Sequence, residues 1–337
     1  MTMSPEVSIV VPVFNEEGNI RPMYHAIREQ MAGLDMNFEL IFVDDGSSDN
    51  SMAILRELYE EYDEVRVITF SRNFGHQSAV SAGLDAASGA AVICMDADLQ
   101  HPPSLIPQMI EQWRAGYHVV YTVREDDAET GPLKRLFSST FYKFINWISE
   151  TPVIPGAADF RLMDQSVVQV LTAMPERSRF LRGMVGWLGF NQIGIRYKAS
   201  SRHSGQSKYS IRKMIQLAMN GIASFSAVPL RMSGYLGVLA ASAWIPYGLW
   251  AIYLRFFTNQ AVPGWTSLLV MVLFLGGVQL MALGILGEYV SRIYTEVKGR
   301  PLYITQQRLG FQRHTNQHEA GEASPRSDAS VLRTAAK

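Results

Sequence analysis

Four short apolar runs mark the first hundred residues: Val7–Phe14, Phe38–Gly46, Val65–Phe70 and Ala90–Asp98. They are rich in Val, Ile and Phe and do not alternate apolar with polar positions, which predicts strands buried on both faces. Between them the apolar spacing predicts helices over Gly18–Ala32, Ser51–Tyr62 and Gln77–Ala87. Alternation of this kind predicts a parallel sheet with right-handed crossovers, a doubly wound α/β domain. Ligands of such sheets sit at the carboxyl ends of the strands.

The pattern changes after Arg231. No charged residue occurs from Ser233 to Leu254, nor from Val262 to Gly287, and each run meets the requirement of about 20 apolar residues for a helix that crosses a bilayer. Two transmembrane helices, about 233–256 and 264–287, are predicted. Arg231 precedes the first, Arg292, Lys298 and Arg300 follow the second, and only Arg255 stands between them, so the positive-inside rule puts both ends in the cytosol. Ile211–Arg231 and Leu133–Ile148 mix basic and apolar residues at helical spacing, as interfacial helices do and as ordinary core helices also do. Beyond Ile304 the apolar period is lost, which predicts a disordered tail. The expected organisation is a cytosolic α/β domain over 1–210, a juxtamembrane amphipathic helix over 211–231, the two spans within 232–290 and a cytosolic C-terminal segment over 291–337. The protein is thus expected in the inner (plasma) membrane as a multi-pass protein.

Charge and cysteine content refine this only a little. A formal net charge of -1 over 337 residues gives no reason to expect nucleic acid as a partner. The single cysteine, Cys94, has no intrachain disulfide partner and lies in an apolar run, as a small buried strand residue does. No apolar stretch precedes the first strand, so a cleaved signal peptide is not expected.

The chemistry is concentrated just after the strand-like runs. They lead into Asn15-Glu16-Glu17, Asp44-Asp45-Gly46-Ser47-Ser48-Asp49, Ser71-Arg72-Asn73 and Asp96-Ala97-Asp98-Leu99-Gln100. Ser48 and Asp49 fit a capping or turn role, but capping does not account for four polar clusters on one edge. Neither G-x-G-x-x-G after the first run nor G-x-x-x-x-G-K-[ST] anywhere is present, so a dinucleotide Rossmann site and a P-loop are unsupported. Acid stands in the first loop in place of glycine, so a phosphate bound here needs a cation. Asp96 and Asp98 flank one small residue at a strand end and can offer oxygen to Mg²⁺ or Mn²⁺, ions commonly shared between one or two carboxylates and a diphosphate.

The stretches VVPVFNEEGNI, FVDDGSSDNS, FSRNFGHQSAV, MDADLQHPP, ADFRLMD and SRHSGQSKYS, with the paired apolar runs after them, resemble the inverting family-two glycosyltransferases of GT-A fold. Within that family they are most similar to the polyprenyl-phosphate glycosyltransferases, which include dolichol-phosphate mannose synthases and bactoprenol glucosyltransferases. The resemblance covers about Val7 to Tyr303. It implies a GT-A, Rossmann-like doubly wound catalytic domain followed by interfacial helices and two transmembrane helices. It also implies transfer of a sugar from a nucleotide sugar to undecaprenyl phosphate with Mg²⁺ or Mn²⁺, for cell-envelope glycan or lipopolysaccharide modification.

By position, the resemblance assigns Pro12, Phe14 and Glu16 to the nucleotide pocket, with Phe14 where the family often has tyrosine. Asp44 and Asp45 would meet the base or ribose, without distinction between them. Asp96, Ala97, Asp98 and Gln100 match the diphosphate and metal segment, with Asp98 the first direct ligand. Arg124, Arg135 and Ser139 would meet the acceptor phosphate, while Arg202 and Lys208 would clamp the donor diphosphate, as guanidinium forks and ammonium groups can. Asp159 is the family's catalytic carboxylate. A phosphate monoester, with a second pKa near about 6, is already mostly ionised near neutrality, so Asp159 is expected to orient the acceptor or a sugar hydroxyl more than to remove a proton.

UDP-glucose is the leading donor, with UDP-N-acetylglucosamine, a UDP-aminoarabinose type of sugar and GDP-mannose as alternatives. A processive polysaccharide synthase would carry Q-x-x-R-W and more spans; the motif is absent. A membrane-tethered nucleotide-sugar binder or flippase scaffold is the non-enzymatic alternative, opposed by the intact D-x-D and Arg202. Homo-oligomer formation through Gly276, Gly277, Gly284 and Gly287, and a downstream flippase partner, are further expectations.

Overall fold

A computed structural model describes residues 5–124, 157–177, 179–197, 228–257 and 264–311. The strands are β1 (Val7–Val13), β2 (Phe38–Asp44), β3 (Val65–Phe70), β4 (Ala91–Cys94), β5 (Val119–Arg124), β6 (Ala157–Asp164), β7 (Gln192–Tyr197) and β8 (Thr305–Leu309). The helices are α1 (Ile20–Ala32), α2 (Ser51–Glu61), α3 (His76–Ala86), α4 (Ile106–Arg114), α5 (Gln165–Ala173), α6 (Leu181–Trp187), α7 (Val228–Phe257) and α8 (Trp265–Val297).

All eight strands form one sheet in the order β7-β5-β6-β4-β1-β2-β3-β8. Every residue of β1 is buried, and successive side chains reach opposite faces, as the pleat requires. Val7, Ile9, Val11 and Val13 join Ile20, Met23, Ile27 and Leu55 of α1 and α2 on one face. Val10 faces the other way, into a second core with Ala79 and Val80 of α3 and with Val167, Val168 and Leu171 of α5. Apolar runs without alternation are therefore the sequence form of a sheet covered on both sides.

Three features differ from the sequence reading. The sheet is mixed, because β6 runs antiparallel to both β4 and β5, and β8 runs antiparallel to β3. The four N-terminal strands do follow the parallel pattern; reversal enters only with strands that follow long connections, where local alternation carries no direction. Residues 305–309, read as the start of a structureless tail, form β8. Their side chains alternate between half-buried and exposed, so this edge strand needs no apolar run, which hides it from a hydropathy search.

The third difference concerns the spans. Both long C-terminal helices are present, but among the described residues only Val270–Val297 is long and apolar enough to cross a membrane. Helix α7 carries an internal Pro246 near its centre and is, over its whole length, about as apolar as α8. Residues 133–148 and 211–227, expected as interfacial helices, lie outside the described residues, as do 312–337.

Candidate active site

Register builds the site. In the antiparallel β4/β6 ladder Cys94 pairs with Arg161 and Ile93 with Leu162; carried two residues further, the same register brings Asp96 opposite Asp159. A reversed β6 thus delivers its amino-terminal end to the carboxyl edge of the parallel strands. Two carboxylates that close repel, so the local fold must supply cations.

It supplies three. Arg182, in the first turn of α6, approaches Asp159 Oδ1 with Nη2 at 3.1 Å, and Arg161 Nη2 lies 3.3 Å from the same oxygen. Arg161 is two residues from Asp159 on one strand face, and its side chain is almost fully buried. On the other carboxylate, His76 Nε2 lies 2.8 Å from Asp96 Oδ1. Burial pushes both carboxyl pKa values up, but the cations more than offset it. The His76 hydrogen bond and nearby positive charge hold Asp96 down at about 2, and the charges of Arg182 and Arg161 keep Asp159 below the usual carboxylate range. Burial disfavours charge on His76, yet Asp96, with Asp159 and Asp45 behind it, raises the imidazole pKa.

His101 has a different job. Its Nδ1 accepts the Asp96 backbone N–H at 3.1 Å, which assigns the ring proton to Nε2. Its 3.7 Å approach to the Asp96 carboxylate is therefore proximity, not pairing. The ring is buried and stacks on Phe160.

Beyond Asp96 the chain turns sharply. Leu99 adopts φ +60°, a left-handed conformation costly for a leucine and characteristic of functional loops. The turn brings the Gln100 N–H onto Asp98 Oδ1 at 3.1 Å. Ala97 is buried, whereas Asp98 and Gln100 are half-buried. Among the described residues no three His, Cys, Asp or Glu side chains gather as a metal cage. A single half-buried carboxylate, with a second beside it, fits an ion that completes its shell from water and diphosphate; it does not fit a closed structural site.

The first two loops are fastened to one another. Asn15, at φ +55°, donates its N–H to Ser47 Oγ and accepts the Ser48 N–H on Oδ1. Glu16 N–H reaches Ser51 Oγ, and Glu17 N–H reaches Asp49 Oδ2. The Asp49 carboxylate also takes the Ser51 N–H, so it closes a turn ahead of α2 and ties the two loops together. Phe14 is left 46% exposed at the rim, and Pro12 lines a cavity of about 20 Å³, with His76, Asp96, Asp159 and Arg161 among its other walls. That volume is room for roughly one water.

The adjacent aspartates, indistinguishable in sequence, differ here. Asp45 accepts the Phe74 N–H at 2.7 Å and the Gly75 N–H at 3.0 and 3.2 Å, so both its oxygens hold the loop that carries His76. Asp44 accepts from the Ser47 N–H at 3.1 Å. Burial raises both carboxyl pKa values. Sequence reasoning missed His76, Arg161 and Arg182. Arg161 had a signal, its two-residue spacing from Asp159 in a strand; Arg182 had none that a local pattern carries. Arg124 closes β5, and Arg135, Ser139, Arg202 and Lys208 lie outside the described residues.

A mixed α/β sheet with acidic loops at its carboxyl edge and a charged cluster across β4 and β6 is shared by many enzymes, and the class is set by the chain's relatives. The glycosyl transferase family 2 profile matches residues 8–171. The chain is 42% identical over 312 residues to an uncharacterized glycosyltransferase, YkcC, of Bacillus subtilis (strain 168), covering 93% of this chain and 97% of the relative. It is 44% identical over 299 residues to the bactoprenol glucosyl transferase of Shigella phage SfII, covering 89% and 97%. Among solved structures, the mannosyltransferase PcManGT from Pyrobaculum calidifontis, in complex with GDP-Man and Mn2+, aligns with TM-score 0.42 at 17% identity over 88% of this chain and 80% of that one. The chain belongs to glycosyl transferase family 2 and is a glycosyltransferase.

Proposed function

We propose that the protein transfers a sugar, glucose from UDP-glucose as the leading choice, to undecaprenyl phosphate at the cytosolic face of the membrane. One observation carries the acceptor: the match to a bactoprenol glucosyl transferase extends over 89% of the chain, through the long apolar helices and far past the family profile's end at residue 171. In the reaction an acceptor phosphate oxygen forms a bond to the anomeric carbon while the bond from that carbon to the diphosphate oxygen breaks. The leaving diphosphate takes the electron pair.

The residues divide the work as follows. Asp44 faces the base or ribose, a reading supported by the commitment of both Asp45 oxygens to Phe74 and Gly75. Phe14, Pro12 and Glu16 border the nucleotide. Asp98, with Asp96 and Gln100 beside it, would hold Mg²⁺ or Mn²⁺, which when bound neutralises charge on the leaving diphosphate. Arg202 and Lys208 serve the same diphosphate, and Arg124, Arg135 and Ser139 the acceptor phosphate. Asp159 orients; with its carboxyl held low by Arg182 and Arg161 it is a weak proton acceptor, and an ionised phosphate does not need one.

The membrane reading gains support from β8. That strand lies beyond α8 yet pairs with β3 of the catalytic sheet, so the chain between them crosses a bilayer an even number of times. If α8 spans, α7, about as apolar over its length, is the return crossing. Exposed Leu239, Ile245, Leu249 and Trp250 on α7, and Leu268, Val272, Leu280 and Leu283 on α8, are the apolar surface lipid would cover. The test is transfer of radiolabelled sugar from UDP-glucose, UDP-N-acetylglucosamine and GDP-mannose to undecaprenyl phosphate in detergent with Mn²⁺ or Mg²⁺. Lipid-linked product from one donor, lost with EDTA, is expected; no lipid-linked product from any donor would overturn the acceptor assignment.

A further inference from the structure

The chain beyond α8 returns to the catalytic sheet. At the end of α8, Glu296 accepts the Arg177 backbone N–H on both carboxylate oxygens, at 3.0 and 2.9 Å. A few residues on, the Tyr303 ring stacks on Phe70 of β3, with centroids 4.9 Å apart and planes 12° from parallel. Its hydroxyl donates to Asp85 of α3 at 2.8 Å. The Ile304 carbonyl accepts the Ser71 N–H at 3.0 Å, and β8 then pairs with β3 through Val67, Ile68 and Thr69. Gly310, at φ +82°, closes the strap, and a Cβ there would approach Arg66, Tyr59 and the Val65 carbonyl to 3.2 Å.

These contacts fall on the residues that lead into the site. Phe70 meets Phe74 edge to face at 5.7 Å. The Phe74 and Gly75 N–H groups are the ones Asp45 holds, and the next residue, His76, holds Asp96. Ring contacts from Tyr303 through Phe70 to Phe74, and two residues of backbone from Phe74 to His76, therefore join Tyr303 to the first carboxylate of the D-x-D. β3 is already paired along its other edge with β2, so the strap is not needed to make β3 a strand. What it adds is a fixed position for the strand's end and for the loop over residues 71–76.

We propose that Tyr303, with the strap it anchors, is a positioning residue for the nucleotide side of the site, so that chain which has already passed through α8 completes the donor pocket. The proposal rests on the reading that the carboxyl edge binds a nucleoside diphosphate. Tyr303 touches no substrate; it acts through Phe70 and the loop that carries His76. Such coupling through packed side chains needs a direct test.

The test uses the full chain in detergent, with UDP and GDP as probes in the presence of Mn²⁺, and compares wild type, Tyr303→Ala and Tyr303→Phe. Tyr303→Ala should weaken binding of the preferred nucleotide about tenfold and raise the donor KM alike, leaving the acceptor KM unchanged. Tyr303→Phe keeps the ring stack, loses only the hydroxyl bond to Asp85, and should bind within about twofold of wild type. Nucleotide binding unchanged in Tyr303→Ala, or a loss of active fraction with both KM values unmoved, would overturn the positioning role. Failure of the wild type to bind either nucleotide would instead overturn the reading of the site itself, and this proposal with it.

Discussion

Two carboxylate clusters sit at opposite ends of the same sheet, one buried and one partly open. At the amino edge, Glu39 accepts from the Ser8 hydroxyl and from the Ser88 N–H and hydroxyl on one oxygen, while Arg66 Nε pairs with the other at 3.0 Å. Its side chain is 2% exposed. At the carboxyl edge, Asp96 and Asp159 keep about a third of their side-chain surface open and share a crowd of cations. A charge enclosed by its own partners holds loops together; one that stays partly open among several cations is placed to meet a charged ligand. Conserving the fold needs the first kind, and handling phosphate needs the second.

The comparison breaks if the two clusters respond alike. Asp98→Ala should lower kcat/KM by about 10²–10³, the scale of losing one preorganised electrostatic contact, and shift unfolding free energy by less than about 1 kcal/mol. Glu39→Ala should do the reverse. It strips the partner from buried groups and should cost about 3–5 kcal/mol of stability, with turnover per folded molecule preserved. Paired urea melts and initial rates on both variants separate the outcomes; a catalytic loss without destabilisation in Glu39→Ala would end the distinction.

Asp159 sharpens the comparison through pH. Its carboxyl pKa is lowered in the fold, so its charge, and what that charge stabilises, is present above the ordinary carboxylate pKa and is lost only as pH falls through the lower folded value. Asp159→Asn should therefore reduce kcat by about a hundredfold through misplacement of Arg182 and the acceptor. The variant and the wild type should share one profile of kcat/KM between pH 5 and 8. An acidic limb near neutrality that disappears in Asp159→Asn would make Asp159 a general base after all.

How much of this was legible in the sequence follows from which forces are local. The strands β1 to β4 and helices α1 to α3 lie within a few residues of the sequence reading, because burial on both faces writes itself into unbroken apolar runs. The acidic ends of those strands were legible for the same reason: Asp at the end of such a run has no apolar explanation. The Asp96–Asp159 pairing was not, since it depends on an antiparallel register between strands more than sixty residues apart. β8 was hidden because an edge strand of Thr, Gln and Arg buries only one side. Asp44 and Asp45 read as equals until the Phe74–Gly75 turn claimed one of them.

Gly46 tests whether that turn matters. It adopts φ +71°, and a Cβ there would lie 2.6 Å from the Arg72 carbonyl carbon and 2.8 Å from the Asn73 nitrogen. The loop after β2 and the loop after β3 touch backbone to backbone. Gly46→Ala should cost about 2–3 kcal/mol from left-handed strain and overpacking together, read as a fall in the urea midpoint. Because the pressure falls on the loop held by Asp45, donor KM should rise while acceptor KM stays constant.

Cys94 offers the mildest test, and a local one. It lies beneath the charged cluster, paired in register with Arg161, 3% exposed, its thiol pushed up to about 12 by burial. At pH 8 the thiolate fraction is then on the order of 10⁻⁴, and the thiolate is the species that reacts. Native protein should resist iodoacetamide, with rapid labelling only in denaturant. Since the chain has one cysteine, the labelling rate reports how often this end of the sheet opens. Glu39→Ala removes support from the far edge and should raise that rate only as far as it lowers global stability. Asp159→Asn loosens Arg161 directly above the sulfur and should raise it by a few fold without a matching change in the urea midpoint. Equal rates in the wild type and Asp159→Asn would mean that the cluster's charges orient ligands without bracing the strand beneath them.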